Sequence, residues 1–163
     1  MDRSNALASR LLAIGDIHGH RDKLRDLLDQ VKPTPVDRCV FLGDYIDRGP
    51  DSKGVIDELI HFKHQFPNTV FLRGNHDQML LDVSVESGLC DGVSLKDQSN
   101  YYWYLLYNAG SNAAKIFLQN GGYQTLTSYT MELTVGQGKR GFELEGDMPE
   151  EHIIFLQQTK LWH

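Results

Sequence analysis

The sequence predicts an α/β fold built around a parallel β-sheet. Three observations lead to this class: three short apolar runs each stop at a glycine, polar motifs follow each run, and helical periodicity separates the runs. Continuous apolar runs are typical of strands buried on both faces, and strand–helix alternation favours parallel strands with right-handed crossovers. The 163 residues, 40% hydrophobic and 23% charged, suffice for one domain with a sizeable core.

The predicted elements follow one another in a regular order. Residues 10–14 form the first strand, and apolar residues at helical spacing over 24–31 predict an amphipathic helix. Residues 39–42 form the second strand, and a second helix follows Pro50. Residues 69–72 form the third strand, which completes a strand–helix–strand–helix–strand unit.

The second half of the chain is less regular. Residues 79–83 predict a short helix, and the polar stretch 84–98 predicts a loop. The aromatic cluster over 101–107 has no accompanying basic residues, so we expect a helix that packs on the core rather than a nucleic-acid surface. Residues 120–122 predict a turn, and 153–156 predict a helix that runs nearly to the last residue.

Composition and charge exclude several classes of function. The net charge of −6 argues against a general nucleic-acid-binding protein, which would carry a basic stripe. No run approaches the ~18 apolar residues of a membrane span, and the N-terminus lacks the apolar segment of a secretory signal. Cys39 and Cys90 have no metal-binding or disulfide-framework spacing, which fits a reducing compartment. We therefore expect a cytoplasmic protein with no nucleic-acid and no membrane partner.

Each predicted strand ends in residues that can bind metal. The three motifs are GDIHG at 15–19, GDYIDRG at 43–49 and RGNHD at 73–77. One such motif alone is commonly only a turn, but parallel strands bring all their carboxyl ends to one edge of the sheet. Three motifs in this order therefore favour a shared metal site, and the side chains expected to converge are Asp16, His18, Asp44, Asn75 and His76.

The mixture of carboxylate, imidazole and amide groups suggests a particular chemistry. Such a set suits Mn, Fe or Zn better than Ca or Mg. Asp44 lies between the other two motifs and is placed to bridge two ions, which at roughly 3.5–4 Å generate hydroxide near neutral pH and clamp a phosphoryl group. Arg48 is placed to hold phosphate oxygens, with help from Arg73. His76 is placed to protonate a leaving alkoxide, with Asp47 as its orienting carboxylate.

Together these motifs resemble the metallophosphoesterase signature, in the form used by the PPP class (calcineurin-like) of serine/threonine protein phosphatases. The stretch QNGGYQTLTSY also resembles the helical insertion of bacterial members. The resemblance implies a β-sandwich flanked by helices, incomplete in this chain. It implies a single domain over 1–163, with core strands and helices over 10–83 and a mainly helical insertion over 84–163. It also implies hydrolysis of phosphoserine or phosphothreonine in proteins, or of a phosphorylated small molecule, without a phosphoenzyme.

The resemblance also implies a role for each residue of the motifs. Four residues would hold two divalent ions, with Mn expected first and Fe or Zn as alternatives: Asp16 and His18 on one ion, Asp44 between the two, and Asn75 on the second. Four more would act on the phosphoryl group: Arg48 and Arg73 as phosphate ligands, His76 as general acid, and Asp47 as its partner.

The sequence departs from the family pattern in its second half. The pattern continues with two more histidine ligands for the second ion and another phosphate-binding arginine, and we find no matching segment here. Neither His152, in a predicted helix, nor His163, at the last position, is expected to replace them. We therefore expect the ion held by Asp16, His18 and Asp44 to be bound better than the second. An exposed apolar sheet face would also favour self-association.

Two other interpretations remain open at this point. The first is symmetrical hydrolysis of diadenosine tetraphosphate, because bacterial enzymes of that kind resemble the same motifs, and DRGP with GNHD favours them slightly. Asp47 and Arg73 fit the phosphatases better. The second is a metal-binding fragment without useful turnover, or one that needs a partner chain to complete its site.

Overall fold

The computed structural model describes residues 9–86, 113–135, 142–146 and 148–161. The aromatic cluster at 101–107 and most of the predicted loop at 84–98 lie outside these ranges. Within them, the predicted α/β class with a parallel sheet is confirmed. No helix in the described ranges is long and apolar enough to cross a membrane.

A three-stranded parallel sheet lies at the centre of the described chain. Its strands β1 (Leu11–Ile14), β2 (Arg38–Phe41) and β3 (Val70–Phe71) lie side by side in that order. Helices α1 (Arg21–Val31) and α2 (Ser52–Gln65) connect them. Because each connection leads to a parallel strand, all three strands end at the same edge of the sheet.

The strand register places one face of the sheet in the core. Leu12 pairs with Cys39, and Ile14 pairs with Phe41, which in turn pairs with Phe71. The Phe41 and Phe71 rings stack with their centroids 5.1 Å apart, and Phe41 is fully buried. Burying a side chain of this size contributes about 1.5–3 kcal/mol, so these pairs fix which face of each strand points inward.

The opposite face of the sheet is partly open. Leu11 in β1 is 69% exposed, and Leu42, which follows β2, is 48% exposed. Ala13 is also exposed. The apolar sheet face predicted from the sequence is therefore present, and self-association through that face stays a prediction.

The remaining elements are mostly helical. Helix α3 (Asn75–Glu86) begins inside the third motif and is longer than the helix predicted over 79–83. The others, in order, are α4 (Ala113–Phe117), a π-helical segment (Leu118–Gly122), α5 (Tyr123–Ser128), β4 (Glu132–Val135), β5 (Phe142–Glu145) and α6 (Glu150–Gln158).

Two local features differ from the sequence prediction. The turn predicted at 120–122 lies in the π-helical segment, where Gly121 adopts a non-helical φ of 101° that suits glycine. Strands β4 and β5 form an antiparallel hairpin that the sequence analysis did not predict. The sequence does contain the pattern typical of strands at these positions, because ELTV and FELE both alternate apolar and polar residues.

The chain returns to the central sheet after α6. Lys160 forms a parallel bridge with Leu72, immediately after β3. The backbone N–H of Lys160 donates to Phe71 O at 2.9 Å, and that of Arg73 donates to Lys160 O at 2.7 Å. The end of the described chain is thus hydrogen-bonded to the strand that leads into the third motif.

His152 in α6 contacts Asp57 in α2 and Tyr129 after α5, and its burial makes the stability of the fold depend on pH. It is fully buried, with Nε2 2.9 Å from Asp57 Oδ1 and Nδ1 2.8 Å from the Tyr129 hydroxyl. Burial lowers the pKa of His152 below its usual 6.5, although Asp57 raises it in part. The folded state therefore binds fewer protons than the unfolded chain. The stability that neutral, buried His152 contributes is lost as pH falls below 6.5.

We expect the difference in free energy of unfolding between the wild type and a His152→Gln variant to shrink as pH falls from 8 to 5. This difference should change by at most about 1.4 kcal/mol per pH unit, the value for one proton. Urea denaturation at each pH measures the difference. A difference that stays constant across this range contradicts the prediction.

Candidate metal and phosphate site

Three of the predicted metal ligands lie together at the carboxyl edge of the sheet. Asp16, His18 and Asp44 each offer a ligand atom, and these atoms all lie within 4.8 Å of one another. Asp16 and His18 follow β1, whereas Asp44 follows β2. The edge of the parallel sheet brings the two turns together, as expected for strands of the same direction.

The ring of His18 is oriented as a metal ligand requires. Its Nδ1 lies 2.9 Å from the carbonyl oxygen of Ile46, which can only accept a hydrogen bond. The proton is therefore on Nδ1, and Nε2, which keeps its lone pair, lies 3.8 Å from Asp16 Oδ2. A carbonyl that fixes the tautomer in this way is a common feature behind histidine ligands, so these residues fit a divalent ion.

The turn after β3 approaches the same place. The backbone N–H of His76 donates to Asp44 Oδ1 at 3.0 Å. A Cβ at Gly74 would overlap with the Asp44 carboxylate, so only glycine permits this approach of the two turns. Asn75, the predicted ligand of the second ion, is exposed at the first position of α3, directly before His76.

A buried carboxylate–imidazole pair lies beside the three ligands. Asp47 Oδ2 is 2.8 Å from His76 Nδ1, and both side chains are almost completely buried. Burial raises the pKa of Asp47, while hydrogen bonds from Thr125 and His76 lower it. The His76 ring meets the His18 ring edge-on, with centroids 4.7 Å apart. The pair therefore lies next to the candidate metal ligands.

Arg48 connects the two imidazoles. Its Nη1 lies 3.0 Å from His18 Nε2, and its Nη2 lies 2.8 Å from His76 Nε2. A guanidinium only donates hydrogen bonds, so both Nε2 atoms act as acceptors in this arrangement. The positive group thus lies between the candidate ligands and the buried pair, where an anionic substrate group would be attracted.

Backbone strain is concentrated at these residues. Four of them have positive φ: His18 (45°), Asp44 (53°), Asp47 (72°) and Arg48 (65°). Non-glycine residues rarely adopt this region, and such strain clusters at active sites. The two tight turns therefore hold conformations that aim the side chains rather than relax the backbone.

Comparison with known families agrees with this arrangement. The family model described as calcineurin-like phosphoesterase matches residues 9–162. The chain belongs to this family. The match covers all three motifs and the helices and strands on either side of them, so it extends well beyond the individual site residues.

Several relatives of this phosphoesterase chain carry phosphatase names. Serine/threonine-protein phosphatase rdgC of Drosophila melanogaster is 28% identical over 148 residues, covering 83% of this chain and 22% of that protein. Serine/threonine-protein phosphatase PP2A-like PPG1 of Candida albicans is 40% identical over 80 residues, covering 48% of this chain and 19% of that protein. The chain thus spans about a fifth of the length of these two relatives.

Among solved structures, a "putative diadenosine tetraphosphatase" is 32% identical to this phosphoesterase chain, with a TM-score of 0.43. The match covers 61% of this chain and 43% of that one.

Arg73, which the sequence analysis predicted as a phosphate ligand, makes hydrogen bonds to the end of α6. It is 8% exposed, and its Nη2 donates to the carbonyl oxygens of Leu156 (3.1 Å), Gln157 (2.7 Å) and Thr159 (3.1 Å). Its Nε donates to Thr159 Oγ1 at 2.9 Å. Carbonyl groups at a helix C-terminus attract a cation. Arg73 thus caps the end of α6 in this structure, and its predicted role as a phosphate ligand stays a prediction.

Asp77 is a residue of the site to which the sequence analysis assigned no role. Its Oδ2 accepts from the backbone N–H groups of Asp44 and Gly74, both at 2.9 Å, and its Oδ1 accepts from Tyr45 at 3.0 Å. Complete burial raises the pKa of Asp77 to about 7, although these three donors lower it. Its position as the last residue of RGNHD was the available signal. Asp77 joins the second and third turns and so holds the carboxylate of Asp44 in place.

Proposed function

We propose that this chain hydrolyses phosphomonoesters, with phosphoserine or phosphothreonine in proteins as the substrate. The observation that carries the proposal is the grouping of Asp16, His18 and Asp44 within 4.8 Å, beside the Asp47–His76 pair. Its membership of the phosphoesterase family and the phosphatase names of its relatives support the same reaction class. We keep the cytoplasm as the proposed location.

The donor atoms suit two divalent ions, and Mn is our first candidate. Asp16, His18 and Asp44 would hold the first ion, and Asp44 with Asn75 would hold the second. When bound, such ions supply Lewis acidity toward the phosphoryl oxygens and lower the pKa of water. The first ion has three protein ligands and the second has two, so we propose that the first is bound more tightly.

The residues around the ligands would act on the substrate. Arg48, which lies between the two imidazoles, would bind two phosphoryl oxygens with its planar guanidinium. A water molecule that has given one proton to the solvent would form the new P–O bond while the P–O bond to the alcohol breaks. His76 would act as an imidazolium: once Arg48 turns to the phosphoryl group, Nε2 carries a proton that it gives to the departing oxygen, and Asp47 would stabilise the imidazolium through Nδ1.

The proposal is tested by phosphate release from a phosphoserine peptide with Mn²⁺ and with a chelator. We expect Mn-dependent release with the peptide and much slower hydrolysis of diadenosine tetraphosphate at equal metal concentration. An Asp44→Asn variant should lose the activity, whereas His61→Asn, an exposed histidine on α2 that contacts Gln65, should keep it.

Two other outcomes would replace the proposed function. Faster cleavage of diadenosine tetraphosphate than of the peptide would establish the dinucleotide reaction instead. One bound ion per chain with no phosphate release would indicate a metal-binding fragment, whereas two ions with turnover exclude it. Elemental analysis of the purified chain gives the number of ions directly.

A further inference from the structure

The helical segment over residues 113–128 contributes a buried hydroxyl to the Asp47–His76 pair. Thr125 in α5 is 0% exposed, and it contacts Asp47 although 78 positions separate them in the chain. Thr125 Oγ1 accepts from the backbone N–H of Asp47 at 2.9 Å and donates to Asp47 Oδ1 at 2.6 Å. One hydroxyl thus binds both the backbone and the carboxylate of the same residue.

The direction of these hydrogen bonds follows from the number of protons. A threonine hydroxyl has one proton, and the Asp47 carboxylate can only accept it. Thr125 is therefore the acceptor in its 2.9 Å contact with Ser52 Oγ, so that Ser52 donates. Two donors and one acceptor surround the Thr125 oxygen, which leaves this hydroxyl a single orientation.

The two oxygens of the Asp47 carboxylate consequently have different partners. Oδ1 accepts from Thr125, and Oδ2 lies 2.8 Å from His76 Nδ1. A carboxylate held at one oxygen can no longer rotate freely about its Cβ–Cγ bond. The Oδ2 lone pair therefore stays directed at the imidazole, which fixes the ring orientation of His76.

Other contacts of the same segment support the loop that carries Asp47 and the start of α2, which follows it. The backbone N–H of Arg48 donates to Gly121 O at 3.2 Å, and that of Lys53 donates to Ser128 Oγ at 3.1 Å. A Cβ at Gly121 would lie 2.9 Å from the backbone nitrogen of Arg48, which shows how closely the backbones approach. The segment thus forms hydrogen bonds to this region through Gly121, Thr125 and Ser128. Of these three residues, Thr125 is the one that contacts the Asp47–His76 pair.

We propose that Thr125 is a positioning residue for proton donation by His76, acting through the Asp47 carboxylate. The inference rests on the proposed phosphomonoester hydrolysis, in which His76 protonates the leaving oxygen. It assigns to the helical insertion a part in the chemical step. A residue with this role matters most when the leaving group needs a proton.

The test compares two substrates in three variants. Thr125→Val keeps the shape of the side chain but removes its hydroxyl, and Thr125→Ser keeps the hydroxyl. Ser128→Ala removes the neighbouring contact to Lys53 at the start of α2. For Thr125→Val we expect kcat to fall about tenfold with an alkyl phosphate. With p-nitrophenyl phosphate, whose leaving group needs no proton, we expect less than about a twofold change. Thr125→Ser and Ser128→Ala should stay within about twofold of wild type on both.

Equal losses on both substrates, or equal losses in Thr125→Val and Ser128→Ala, would overturn the inference and leave Thr125 with a structural role only. If the wild type releases no phosphate from any substrate, the proposed function fails, and an NMR measurement decides the inference separately. The Nδ1 proton of His76 is identified by its absence in His76→Asn. Thr125→Val should shift or broaden that resonance, whereas Thr125→Ser should retain it, and an unchanged resonance in Thr125→Val would refute the positioning role.

Discussion

Replacing His76 with asparagine should lower kcat for a phosphoserine peptide about 10²–10⁴-fold, the range typical of a lost general acid. The leaving serine alkoxide needs a proton, and His76 Nε2 lies 2.8 Å from Arg48 Nη2, the group proposed to bind the phosphoryl oxygens. KM should change little, because Arg48 and the ligands Asp16, His18 and Asp44 remain. Steady-state kinetics with saturating Mn²⁺ measures both constants.

Asp47→Asn should reduce kcat less than His76→Asn, because Asp47 acts only through the imidazole. The amide still accepts a hydrogen bond from Thr125, but it no longer stabilises an imidazolium at Nδ1. His61→Asn serves as the matched control, since it removes an exposed imidazole from α2. Full activity in His76→Asn, with the number of bound ions unchanged, would remove His76 from the mechanism.

Replacing Arg73 with alanine should reduce the free energy of unfolding by about 1–3 kcal/mol, the cost of leaving a buried acceptor without its donor. Arg73 is buried, and its guanidinium donates to three carbonyl oxygens and a hydroxyl at the end of α6. Alanine leaves these acceptors without their donor and removes the cation that faces the helix C-terminus. The midpoint of urea denaturation should fall, with the slope of the transition unchanged.

Arg73→Lys is the matched control for charge. Lysine keeps the positive group but has only three donors on a single nitrogen, so we expect it to recover part of the lost stability. A phosphate ligand would behave differently. If Arg73→Ala raised KM strongly and left the denaturation midpoint unchanged, Arg73 would have to face the substrate after all.

Most of the fold in the described residues, and the grouping of three candidate metal ligands, could be predicted from local sequence. The apolar runs before Gly15 and Gly43 and the helical spacing between them are enough to predict parallel strands, because burial and periodicity act over a few residues. A parallel sheet then brings the residues that follow each strand to one edge. For that reason the sequence alone predicts the grouping of Asp16, His18 and Asp44 that the structure contains.

The direction of individual side chains could not be predicted in the same way. Arg73 and Asp77 belong to the same motif, yet Arg73 points to Thr159, 86 positions away, and Asp77 points back to Asp44. Which direction each side chain takes depends on the donors and acceptors that packing brings near it, and no local pattern records them.

The sequence by itself therefore determined the alternation of strands and helices, the sheet edge and the chemical types gathered there, since these follow from periodicity and chain direction. Only the tertiary structure decided that Arg73 caps a helix and that Thr125 reaches Asp47. The physical reason is that a hydrogen bond needs its two atoms within about 3 Å. In this chain, residues 78 and 86 positions apart meet at that distance only after α5 and α6 have packed against α2.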